Sequence, residues 1–106
     1  MTTDTAVTGA ETVEAIAAVV LRCGTVARLH GGRFNAITSY LPGRRVSGVA
    51  VTPSGVTVGV VGRYPATVAE IAAQVRAAVS AVVPDVAVTL AVEDIDLADI
   101  DLPGID

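Results

Sequence analysis

The stretch Val46–Tyr64, VSGVAVTPSGVTVGVVGRY, constrains the fold more than any other part of the chain. Two strand-like runs flank Thr52-Pro53-Ser54-Gly55. Pro suits the first central position of a tight turn, and the Gly that follows suits a position of positive φ. Val49 and Val51 alternate with Ala50 and Thr52, and Val56, Val58 and Val60 alternate with Thr57 and Gly59. A period of two predicts a β-hairpin with one heavy valine face and one light face. The light face carries Ala50, Thr57, Gly59 and Val61.

Two helical patterns surround this hairpin. Thr8-Gly9-Ala10-Glu11 has the form of a capping box. After it, Val13, Ile16, Ala17, Val20 and Leu21 fall on one helix face, and Gly24 is the expected stop. Thr67 and Glu70 repeat the box and predict a second helix to about Val82, before Pro84. Its core stripe is Val68, Ile71, Ala72, Val75, Val79 and Val82. A second row, Ala69, Ala73, Ala77 and Ala81, reads either as an exposed face of good helix formers or as a smooth ridge for close packing.

Thr25–Leu29 and Ala36–Leu41 are short strand candidates, with His30–Arg33 a loop and Pro42-Gly43 a turn. Val86–Val92 is apolar on both faces apart from Thr89, which predicts a central or well-covered strand. The expected fold is α+β, a two-layer sandwich of order α-β-β-(β)-α-β. Two helices pack on one face of a three- to four-stranded, mainly antiparallel sheet. The expected organisation is a disordered N-terminus over 1–8, a single domain over 9–93 and a tail over 94–106.

The tail is acidic and repetitive, with Asp-Ile-Asp-Leu recurring at a period of five from Asp94. Residues 93–106 hold six acids and no base, whereas residues 1–92 hold seven Arg against five acids. Ile95, Leu97, Ile100, Leu102 and Ile105 make this strip too apolar for a purely solvating tail. A linear docking motif is the sharper reading, laid on a sheet edge or in a groove. Its acid spacing lacks the Gly and Glu of a calcium loop.

Catalytic ingredients are sparse. Cys23 is the lone thiol and His30 the lone histidine, too few ligands for a zinc site. One cysteine excludes an internal disulfide and fits a reducing compartment. Gly31-Gly32 has no Walker context, and the chain has no Lys. No metal or cofactor is expected. Arg28, Arg33, Arg44, Arg45 and Arg63 gather at loops and strand ends, and Arg33, Arg44 and Arg45 form a candidate anion site. A nucleic-acid or anionic-lipid binding module, masked by the acidic tail, is therefore the alternative to an interaction protein. The shortage of aromatic residues for base stacking weighs against nucleic acid. No apolar run reaches the roughly 20 residues of a membrane span, so the chain is expected in the cytoplasm without direct membrane insertion.

The segments VEAIAAVVLRCGTVARL, SGVAVTPSGVTVGVVGRYPATVAEIAAQVRAAVSAV and VAVTLAVEDI together resemble the alkaline shock protein family, cell-envelope stress response proteins of Gram-positive bacteria. The likeness spans about residues 13–93, with Gly24-Thr25-Val26 leading into the first strand, Gly48-Val49 opening the hairpin and Gln74-Val75 in the second helix. Pro65 departs from the family's usual Gly. The resemblance implies a non-enzymatic cytoplasmic protein with no catalytic residues, self-associating and held near the membrane by a small membrane-anchored partner. On this reading the light hairpin face and the Ile-Leu tail are the candidate partner-binding surfaces.

Overall fold

The computed structural model describes residues 3–97, with side chains from 10 to 97. Its central strand is β5, Gly55–Arg63, nine residues in which every position from Val56 to Gly62 except Thr57 is buried. β4, Val49–Thr52, runs antiparallel along the first half of β5, with Val49 opposite Val58. β1, Val26–Leu29, takes the second half, also antiparallel, with Leu29 opposite Val60. Gly59 sits where the two meet: its N–H donates to Gly48 and its carbonyl accepts from His30. Both groups of one strand residue point the same way, so β4 and β1 abut end to end on a single edge of β5.

The other edge of β5 belongs to β6, Val88–Asp96, which runs parallel to it from Val56 opposite Val88 to Arg63 opposite Asp96. A parallel pair needs a crossover, and α2, Val68–Val82, supplies it. Its capping box forms as the sequence predicts. Thr67 Oγ1 accepts from the Glu70 N–H at 3.1 Å, and Glu70 Oε1 accepts from the Thr67 N–H at 2.9 Å.

α1, Thr3–Leu21, lies beside α2 on the same face of the sheet. The layer between them is aliphatic throughout: Val13, Ile16 and Val20 from α1, Ile71, Val75 and Val79 from α2, and Val49, Val56, Val58 and Val60 from the hairpin. Burying a side chain of this size stabilises by about 1.5–3 kcal/mol. The fold is thus α+β, a mixed four-stranded sheet with two helices, plus a small sheet of β2, Thr38–Leu41, and β3, Arg44–Ser47.

Several expectations are corrected. α1 is already helical at Thr3 and passes through Thr8, because the one poor helix former, Gly9, costs only about 1 kcal/mol. At its other end the N–H groups of Arg22 and Cys23 bond the carbonyls of Val19 and Val20, three residues back, so Gly24 makes no left-handed cap. The run from Arg44 to Thr52 is two strands, broken at Gly48, where φ is 98° and the N–H donates to Ile37 at 2.7 Å. β6 is an edge strand rather than a central one and continues past Glu93 to Asp96. Leu21, Val51 and Val68, placed on core faces by periodicity, are about half exposed. Each lies at an element end that overhangs the opposing layer.

Candidate functional site

The light face of the hairpin is less open than its sequence implies. Ala50 and Thr57 pair across β4 and β5 and are partly accessible. Gly59 and Val61 are buried, with Val61 only 1% exposed. The chain entering β2 covers them, and Ile37 lies where a side chain on Gly59 would extend. The expectation that nothing covers this face therefore fails at its Gly59 end.

The first tail residues belong to the sheet. Ile95 pairs with Gly62 and packs on the core beside Ile71. Its removal from solvent leaves Leu97, half exposed, as the accessible apolar residue of this segment. Ile100, Leu102 and Ile105 lie outside the described residues.

The arginines divide between two places. Arg44 Nη1 pairs with Glu14 Oε2 at 2.9 Å, tying the β2–β3 turn to α1. Arg45 lies opposite Tyr40 in the same hairpin, and Arg33 stands over the ring of its neighbour Phe34. Arg28 pairs with Asp96 at 3.6 Å, and Arg63 Nη2 donates to the Val26 carbonyl at 3.5 Å, both on the main sheet. Of the candidate anion-binding set Arg33, Arg44 and Arg45, one member thus already faces a carboxylate.

An open cleft of about 860 Å³ lies between the start of β1, the end of β5 and α2, lined by Thr25, Arg63, Tyr64, Pro65 and Gln74 among others. Its polar groups are engaged within the fold. Gln74 Oε1 accepts from the Thr25 N–H at 3.0 Å and from Thr25 Oγ1 at 2.6 Å, which braces α2 against β1. Glu70, also on its wall, is held in the capping box.

Cys23 and His30 share no hydrogen bond. The thiol is buried and directed at the carbonyls of Val19 and Gln74, whereas His30 Nδ1 accepts from the Gly32 N–H at 2.9 Å. Burial raises the Cys23 pKa above its ordinary 9.0, because the thiolate loses hydration. The folded state keeps this proton while the unfolded chain loses it. The associated stability is therefore complete below pH 9.0 and is lost as pH climbs through the raised value. Denaturant titrations above pH 9.0 should show the native chain losing stability more steeply than Cys23→Ala, with parallel behaviour at pH 7. Among the described residues no three His, Cys, Asp or Glu side chains gather as a metal site.

Phe34 is the surface residue that sequence periodicity missed. It lies in a single 3-10 turn, Arg33–Asn35, with φ of 57°, and its ring is 93% exposed. A positive φ at an aromatic residue is a strained conformation, worth about 1–3 kcal/mol. Only the adjacent Gly31-Gly32 signalled a special loop there. The chain matches no protein-family model, no curated protein and no solved structure.

Proposed function

We propose that this chain is a non-enzymatic interaction protein of the envelope stress response type, acting by self-association and by recruitment to a membrane-anchored partner. The observation that carries this reading is the placement of the aromatic side chains. The chain has one Phe and two Tyr, and all three face solvent: Phe34 is 93%, Tyr40 70% and Tyr64 53% exposed. The core is built without them. Aromatic residues supply most of the anchoring free energy at protein contacts, and a core this thin gains most from large side chains. Holding Phe34 outward on a strained turn favours a role in contact over a role in packing.

Among the described residues no helix is long and apolar enough to cross a membrane, so the reading assigns membrane proximity to a partner. The test is co-sedimentation of the tagged full-length chain with host membranes, together with its mass in solution by light scattering. The expected result is an oligomer that sediments with membranes, and at least tenfold less membrane-bound protein for Phe34→Ser at unchanged folding. A strict monomer that stays in the supernatant overturns the reading.

A further inference from the structure

Within the described residues, β6 pairs with β5 alone. The Ala87 carbonyl accepts from the Val56 N–H, which fixes the direction of the groups that follow. Odd-numbered residues turn their backbone groups toward β5, and Val88, Leu90 and Val92 turn theirs outward. The segment between, Val88-Thr89-Leu90-Ala91-Val92, carries no charge and no Pro. Native proteins ordinarily blunt such an edge or cover it, because it templates pairing with another chain.

The occupant can be read from what flanks the edge. Arg76 Nε donates to the Val88 carbonyl at 3.3 Å, so this side of α2 stands over β6. The row to which Arg76 belongs, Ala69, Ala73, Arg76 and Ser80, is exposed and otherwise small. At the other end of the edge stand the acids Glu93 and Asp94, both exposed. The edge is therefore basic at the Val88 end and acidic at the Glu93 end. An antiparallel copy of the same strand reverses that order, so each Arg76 end meets an acidic end. Paired strands lie about 4.8 Å apart, which brings the two α2 helices to about 10 Å. Helices pack at 8–10 Å when the facing side chains are small.

We propose that the outer edge of β6 is a homodimer interface, in which two copies pair antiparallel through Val88–Val92 and join their four-stranded sheets into one. This rests on the self-association reading and supplies its surface. The interface is isologous, since the same patch serves both copies. Its main contacts are backbone hydrogen bonds, with the α2 rows of Ala and Ser closing above them.

The test measures the mass of the full chain by light scattering across a concentration series. The native chain is expected to dimerise. Leu90→Pro removes an outward N–H that β5 does not use, and should give a monomer. Because Leu90 also touches the core, a second variant is needed. Arg76→Glu sets acid against acid at both ends and should weaken the dimer about tenfold, with the loss recovered when Glu93→Arg is added. An oligomer unchanged by both Leu90→Pro and Arg76→Glu overturns this interface and leaves the self-association reading standing. A native chain monomeric at every concentration overturns both.

Discussion

Gly59→Ala is expected to be the most damaging single-methyl change in the protein. The added Cβ would meet the backbone carbonyl of His30 well inside contact distance, with Ile37 Cδ1 next, at 2.9 Å. Neither can withdraw freely. The His30 N–H bonds the Gly59 carbonyl at 2.8 Å, and the Gly59 N–H bonds Gly48 at 2.9 Å, so the clash sits where β1, β4 and β5 are joined. Overpacking against fixed backbone costs about 3 kcal/mol or more. For a domain of about 100 residues that lowers Tm by roughly 12 °C or more. Gly24→Ala is the control. Nothing lies within 4 Å of its Cβ, and its φ is ordinary, so Tm should barely move. Thermal unfolding by circular dichroism compares the two, and equal Tm values would contradict the role given to this crossing.

Ile71→Ala is expected to have the next largest effect. Ile71 is fully buried, and its Cδ1 fills the space that Gly62 leaves beside Ile95. Truncation opens a cavity where α2, β5 and β6 converge, at a cost of about 2–5 kcal/mol. Val68→Ala, three residues earlier on the same helix, should change stability by less than about 0.5 kcal/mol because Val68 is mostly exposed. Urea titrations of the two variants check both values. A Val68→Ala loss as large as that of Ile71→Ala would restore the wider stripe that periodicity suggested.

That contrast indicates how far local pattern reaches in this chain. The Thr67–Glu70 box, the Pro53-Ser54 turn and the Val82 end of α2 were legible because each is decided within a few residues. Val51, Val68 and Leu21 were misassigned because periodicity gives a direction and no length for the opposing layer. β6 was read as central from its apolarity. Its helix-side residues Val88, Leu90 and Val92 are only partly buried, and hydrogen-bond neighbours across a parallel crossover leave no local trace. Gly48 reads as one weak residue in a valine run. Its left-handed φ, which turns the chain from one sheet into the other, depends on the His30 and Gly59 backbone it crosses. Gly59 itself was correctly singled out for close approach. The approaching group is the chain's own backbone, and a hydropathy pattern cannot distinguish that from a partner. Phe34 was invisible for a related reason, since one aromatic residue in a short loop has no period.

The end-to-end arrangement of β4 and β1 also limits how many copies can assemble. One border of the main sheet is divided between two four-residue strands, and Ser39 Oγ occupies the Val49 carbonyl at 2.6 Å. Only the β6 border is continuous. A subunit with a single pairing border has a valence of one, so association through it stops at two copies instead of propagating as a fibre. Any larger assembly would need a second kind of contact, and the outward rings of Phe34 and Tyr40 lie on the loop and small sheet, away from that border.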